Sequence, residues 1–333
     1  MKFYYSLYEL QPRKLPGAKP KDPPQPPRKG ALLKVEWSED KIGYADLHPW
    51  PEFGDMELED HLAQLRQMRL TTPVEQAIWL ASLDAKGRQE KKNIYENQNL
   101  LKNNGLLLRI NPHTVEILDP LVKAGFSKVK VKVGFELEEE VEMINRAALT
   151  HEVKIRMDFN SRLTWTTFEK YMTKLSPNAK RQIEYIEDPF PYDPEMWKEA
   201  RQIIPLAIDW ELKKIPLNHP TSVEADIIVL KPTHDDVDAR VEQSLKWNKK
   251  ITVTSHMGHP LGVMQCAAVA QDLAKKHPNM MLDPGCLSFD VYEPNEFTSL
   301  LNVQGPYIKK VGGWGIGFDF LLRNEKWNLL KTL

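Results

Sequence analysis

The chain has 333 residues, 41% apolar and 27% charged, with a formal net charge of -1 and two cysteines. A balance this even creates no long-range field of one sign, which argues against nucleic acid or an anionic membrane as the main partner and for a small-molecule substrate. Cys266 and Cys286 are too few for a disulfide framework or a Cys-rich zinc site and read as small buried hydrophobes.

Met1 to Ser6 contain no signal-peptide apolar stretch and no later run reaches membrane-spanning length, so a cytoplasmic protein is expected. Lys2 to Leu10, Ala31 to Trp37 and Ile42 to Asp46 read as three strands. Between the first two, Pro12 to Pro27 carries seven prolines and cannot be a central strand or a helix. It reads either as a solvated hairpin tip or as an arm approaching an active-site mouth. From Leu58 to Ala85 the apolar spacing predicts two amphipathic helices broken near Thr71-Thr72-Pro73. Strands followed by helices make residues 1–100 an α+β domain, which the segment 299–333 would complete by folding back.

Residues 101–298 have a different texture. Leu106 to Ile110 reads as a strand and Val115 to Ala124 as a helix. β-like runs then end at Lys132, Asp158, Glu187, Asp209, Lys231 and Ser255, spaced by 26, 29, 22, 22 and 24 residues. That period fits strand, loop, helix, loop, and repeated βα units favour a parallel sheet. Closed into a barrel, the sheet carries all these polar ends on one face, where catalytic residues of such barrels sit.

Asp158, Glu187 and Asp209 end three consecutive strands, and neighbouring strands lie about 4.8 Å apart. Three such carboxylates can converge on one hard cation, for which Mg²⁺ (or Mn²⁺) is the natural choice. Taken singly, each is as readily a carboxylate capping the next helix; Glu211 shares the parity of Asp209 and is a substitute ligand. Lys128, Lys130 and Lys132 alternate on one face of their strand, and Lys231 ends the strand four places on, across the barrel. Lysines facing an apolar interior need carboxylate partners. Cation and lysines together suit removal of a proton next to a substrate carboxylate.

At Lys130-Val131-Lys132, Asp158-Phe159-Asn160, Glu187-Asp188-Pro189, Asp209 and Leu230-Lys231-Pro232-Thr233 the sequence resembles the enolase superfamily, specifically its muconate-lactonizing-enzyme-like branch. Within it, Lys130 to Gly134, Arg156 and the cap-loop-like segment Asp46 to Gly54 look most like the o-succinylbenzoate synthase family. The resemblance implies a (β/α)7β barrel under an α+β cap and Mg²⁺ on Asp158, Glu187 and Asp209. It implies Lys132 as base and then general acid, Lys231 as electrostatic stabiliser and Lys130 as a further catalytic-site lysine. Arg156 would bind a succinyl carboxylate, with Asn160, Thr254 and Ser255 as further substrate contacts. The implied reaction is a dehydration in menaquinone biosynthesis.

Two features depart from the pattern. Trp210 follows Asp209 where the family often has Glu, and the usual serine-rich turn is Thr254-Ser255-His256-Met257-Gly258-His259. His256 and His259 either touch substrate or are helix-start residues bonded locally. The alternatives to dehydration are N-acylamino acid racemisation or dipeptide epimerisation, and a barrel that only binds. The Asp-x-Asp pair common in such epimerases is not supplied by Asp283-Pro284-Gly285. Oligomeric state, monomer or homo-oligomer, is not legible.

Overall fold

The computed structural model of the protein describes residues 1–13 and 26–332. The first three strands, β1 (Lys2–Leu10), β2 (Arg28–Ser38) and β3 (Lys41–Leu47), form an antiparallel meander. Helices α1 (Leu58–Arg66) and α2 (Thr72–Gln89) follow, separated because Thr71 is extended and Pro73 stands at the start of α2. Leu33, Val35, Ala45, Leu62, Leu65, Ala77 and Leu80 share one buried core. Gly43 lets α2 lie against β3, since a Cβ there would stand 1.9 Å from the Ala81 carbonyl oxygen.

Most of the proline-rich segment lies outside the described residues, and so does the expectation of an arm over the mouth. Its described flanks are held by contacts at each end. Arg13 donates its amide to the Val291 carbonyl at 2.9 Å, and the Arg28 guanidinium lies 4.2 Å from the Trp50 ring centre.

The second sheet is parallel: β4 (Gly105–Leu107), β5 (Lys128–Lys132), β6 (Lys154–Asp158), β7 (Ile183–Glu187), β8 (Leu206–Ile208), β9 (Ile227–Leu230) and β10 (Lys250–Val253), adjacent in chain order. Helices α3 (Thr114–Lys123), α4 (Leu137–Thr150), α5 (Trp165–Lys174), α6 (Pro177–Gln182), α7 (Pro194–Ala200), α8 (Val237–Lys246) and α9 (Pro260–Lys276) fall between or after the strands. Residues 280–285 occupy the eighth place. Leu282 and Gly285 donate to the Ile251 and Val253 carbonyls at 2.8 Å each, and Asn104 on the far edge donates to the Pro284 carbonyl at 2.9 Å. The sheet thus curls towards closure, a (β/α)-type barrel beside the antiparallel cap sheet.

Two expectations need correction. The first barrel strand pairs only over Gly105–Leu107, because the chain turns at Asn111-Pro112 to start α3. After β8 there is no α-helix but a 3-10 turn over Trp210–Lys214, which keeps Asp209 and Trp210 at the strand end.

The C-terminal segment forms a hairpin, β11 (Asn302–Gln304) and β12 (Tyr307–Lys309), and ends in β13 (Asn328–Thr332), which pairs antiparallel with β1. Cap and barrel share a core, since the cluster that holds β2, β3 and α2 also holds Leu230, Val253 and α9. At their junction Asp46 of β3 accepts the amide of His259, the residue that precedes α9, at 3.0 Å. Gly262 leaves room for it: a Cβ there would stand 2.5 Å from Asp46 Oδ2. Among the described residues no helix is long and apolar enough to cross a membrane.

Candidate active site

Parallel register brings the polar strand ends together. Lys132 pairs with Asp158 across β5 and β6, and Asp158 pairs with Glu187 across β6 and β7. Glu187 is level with Ala207, so Asp209 stands two residues higher at the end of β8. Lys130 Nζ bridges Asp158 Oδ2 at 3.0 Å and Glu187 Oε1 at 2.6 Å. Lys132 Nζ is 3.4 Å from Asp158 Oδ2, and Lys231 forms an ion pair with Asp209. Lower in the strand, Lys128 pairs with Glu184 at 2.7 Å and Asp283 at 3.2 Å. Every inward lysine of β5 therefore has a carboxylate.

The electrostatics follow from this crowding. Burial pushes the Asp158 carboxyl up, but the Lys130 and Lys132 ammoniums outweigh it and hold the group below the usual carboxylate range. For Glu187 burial wins over Lys130, helped by the Asp158 charge, and its carboxyl is raised well above the ordinary value. Glu187 is fully buried and its Oε2 has no hydrogen-bond partner. An acceptor so placed, beside two more carboxylates on adjacent strands, fits a hard divalent cation.

Asp188, the neighbour of Glu187, works behind the site. At a φ of 39° it turns its carboxylate away from the lysines and accepts the amides of Asp209 (3.0 Å), Trp210 (2.7 Å) and Glu211 (3.3 Å). Burial, and after it the Asp209 charge, pushes its carboxyl up to about 8. Glu211 is not free to substitute as a ligand: it accepts Ser161 Oγ at 3.1 Å, the Tyr192 amide at 2.8 Å and the Lys214 ammonium.

A cavity opens above the carboxylates. Lys130, Lys132, Asp158, Asp209 and Lys231 line its floor; Thr254, Ser255, His256 and Gly285 line one wall; Trp50, Phe53 and Trp210 form its roof. Trp210 holds the roof to the floor. Lys231 Nζ lies 4.0 Å from its ring centre, and Phe53 of the cap stacks on it at 4.4 Å and 9°.

The remaining expected substrate contacts divide. Thr254 and Ser255 are in the wall, with Thr254 Oγ1 buried and unpartnered and Ser255 Oγ 2.7 Å from Ser288 Oγ. Asn160 lies outside the cavity lining, at a φ of 47° in the turn after β6, its amide donated to Asp158 Oδ1 at 3.2 Å. Arg156 also lies outside the lining. Its side chain is inward, as its parity required, but one layer below the carboxylates. There it donates to Glu184 Oε2 (2.6 Å), Asn104 Oδ1 (2.8 Å) and the Asp283 carbonyl (2.7 Å). It ties β4, β6, β7 and the closing segment together.

The two histidines of the unusual turn also separate. His259 caps α9, its Nδ1 accepting the Leu261 amide at 3.2 Å, and packs against Tyr8 and Phe297. His256 faces the cavity and stacks on His234, ring centres 3.6 Å apart at 6°. His234 Nε2 lies 3.1 Å from Asp55 Oδ2 of the cap loop. Asp55, His234 and His256 offer ligand atoms within 4.8 Å of one another. Sequence reasoning missed Asp55, Asp188 and His234. Only Asp188 had a signal, its place between Glu187 and Pro189.

Comparisons with known proteins show the family and the fold. Residues 3–87 match the family model described as O-succinylbenzoate synthase, N-terminal domain, and residues 114–216 match Enolase C-terminal domain-like. A relative from Bdellovibrio bacteriovorus, named o-succinylbenzoate synthase, is 44% identical over 305 residues, covering 92% of each chain. Among solved structures, o-succinylbenzoate synthase from Thermosynechococcus elongatus, with Mg in its active site, superposes with a TM-score of 0.64 at 17% identity, covering 88% of this chain and 95% of that one. The dipeptide epimerase of Cytophaga hutchinsonii gives 0.74 at 14% identity, covering 99% of each chain. N-succinyl Arg/Lys racemase of Bacillus cereus gives 0.76 at 16%, covering 99% and 100%. Likeness at these identities is likeness of fold.

Proposed function

The chain belongs to the o-succinylbenzoate synthase family of the enolase superfamily, and we propose from that premise how its site dehydrates 2-succinyl-6-hydroxy-2,4-cyclohexadiene-1-carboxylate to o-succinylbenzoate. The observation that carries this reading is the placement of Lys132 and Lys231 in one cavity, each against its own strand-end carboxylate.

Asp158, Glu187 and Asp209 would hold a divalent cation, Mg²⁺ by the hardness of three carboxylate donors. Bound there, it would supply positive charge to the substrate carboxylate. Lys132 takes the proton from the carbon next to that carboxylate. The C–H electron pair becomes the new C=C bond as the neighbouring C–O bond breaks. Lys132 then returns that proton to the departing hydroxyl, so that water leaves and the residue is restored. Lys231, fixed by Asp209 and the Trp210 face, adds charge on the opposite side. Trp50, Phe53 and Trp210 exclude water from the reacting carbon.

Epimerisation finds less support. Asp283 is tied to Lys128 by its carboxylate and to Arg156 by its carbonyl, below the cavity, and offers no anion to a substrate ammonium. We place the reaction in menaquinone biosynthesis, in the cytoplasm, with a small-molecule carboxylate as its substrate.

The test is a substrate panel. With Mg²⁺ present, absorbance should report conversion of the cyclohexadiene substrate, and N-acylamino acids and dipeptides in deuterium oxide should exchange their α-protons far more slowly. Fast exchange in the panel without dehydration would overturn the reading.

A further inference from the structure

We infer that His256 is a substrate-binding residue whose unpartnered ring nitrogens are held in the cavity wall to take an oxygen of the bound ligand. The inference rests on the dehydration reading and deepens it, adding a contact at the turn where this chain departs from its family's serine-rich pattern.

His256 is 5% exposed, and neither Nδ1 nor Nε2 has a hydrogen-bond partner. Buried polar groups are nearly always paired, so an imidazole with both nitrogens idle in a cavity wall needs a partner from outside the protein. Its ring is held on several sides. His234 stacks on one face, and the Trp50 and Trp210 rings stand edge-on at 5.7 and 5.1 Å. Trp50 Nε1 donates to the His256 carbonyl at 3.0 Å, so the cap loop also fixes the backbone. The ring is neutral, because burial and then the neighbouring His234, Lys231, His48 and Lys213 disfavour its charged form. A neutral imidazole brings one N–H donor and one acceptor.

The neighbouring groups show why the partner is an organic oxygen rather than a second metal ion. Asp55 is already engaged: Oδ1 by Lys213 at 2.9 Å, Oδ2 by the Trp50 amide at 2.8 Å and by His234. His234 Nδ1 lies 3.0 Å from Thr233 Oγ1. Rings stacked face to face aim their in-plane lone pairs side by side, and a cation about 2.0 to 2.1 Å from each nitrogen would sit far out of both ring planes. Asp55 and His234 are thus a platform for His256. Its place beside Lys231 and against Trp50 puts the contact on the cap side of the ligand.

The test uses the full-length protein with Mg²⁺ and ring-¹⁵N histidine, titrated with o-succinylbenzoate and followed by long-range ¹H–¹⁵N correlation. The His256 signals are assigned by their loss in His256→Gln. Saturating product should move the His256 nitrogen shifts by forming a hydrogen bond. His256→Leu should weaken product binding and raise KM about tenfold, and His256→Gln, which keeps a donor, should recover part of that. Unmoved His256 shifts in an enzyme that turns over, with His256→Leu binding product within about twofold of wild type, would overturn the inference alone. Failure of the wild type to dehydrate substrate or bind product would overturn the function reading and this inference with it. A Zn²⁺ titration that shifts His234 and His256 together in place of the product effect would reassign the cluster as a cation site.

Discussion

Asp188 holds Asp209 from behind, accepting its backbone amide at 3.0 Å and that of Trp210 at 2.7 Å. The height of Asp209 above Glu187 therefore depends on a carboxylate that never faces the cavity. Asp188→Asn would turn an NH₂ towards amides that are themselves donors and loosen the strand end. Outer partners of this kind are typically worth 10- to 100-fold in metal affinity. Mg²⁺-dependence of turnover should shift to higher concentration by about that factor, with the circular dichroism spectrum kept. An unshifted Mg²⁺ curve would remove Asp188 from the metal site.

Lys130 neutralises two buried carboxylates at once. Removing one partner of a buried pair is destabilising by about 3–5 kcal/mol. Lys130→Met should thus lower the unfolding temperature strongly in EDTA, and added Mg²⁺ should restore more of it than in wild type, because the cation takes over the ammonium's charge. Equal Mg²⁺ stabilisation of the two proteins would contradict a metal on Asp158 and Glu187.

Arg156 braces the sheet, donating to Asn104 just before β4, to Glu184 of β7 and to the Asp283 carbonyl of the closing segment. Arg156→Met leaves Asn104 Oδ1 without its donor and Glu184 with Lys128 alone, and should lower stability by about 1–3 kcal/mol in urea unfolding. A variant of wild-type stability with only a raised KM would return Arg156 to the role of substrate ligand.

Asp46 makes one of the pH-dependent contributions at the cap junction, beside the buried His48 and His259. Burial holds its carboxyl up at about 7, above an ordinary value of 3.8. The native state keeps a proton that the unfolded chain releases, so this contribution is complete at low pH and is lost as pH rises through about 7. Asp46→Asn cannot lose that proton. Its stability relative to wild type should rise from pH 5 to pH 8, read by urea unfolding at both values. A difference independent of pH would reject the assignment.

Much of this site could be read from the chain because parallel βα units place every strand's end on one face. Asp158, Glu187 and Asp209 were found by period, and Lys130 and Lys132 by parity. What escaped depends on height and turn geometry. Arg156 has the inward parity of Asp158 but sits one layer lower, and alternation cannot distinguish layers. His256 and His259 are three residues apart, yet the start of α9 sends one to the cavity and the other to the cap core. Asp55 and His234 are 179 positions apart and meet only when the cap loop lies on the barrel. The short β4 and the 3-10 turn after β8 follow from Asn111-Pro112 and from Asp188 gripping three amides, neither of which is a periodic signal.

Lys132 is proposed to move the proton in a cavity lined by Asp158 and Asp209, with Glu187 buried behind them. The most direct measurement is the single-turnover rate of dehydration, with saturating Mg²⁺ and substrate, for wild type and Lys132→Ala of matched fold. General acid and base action in one residue predicts a loss of at least about 10²- to 10⁴-fold in rate, with product affinity largely kept. A Lys132→Ala rate within a few-fold of wild type would contradict the account.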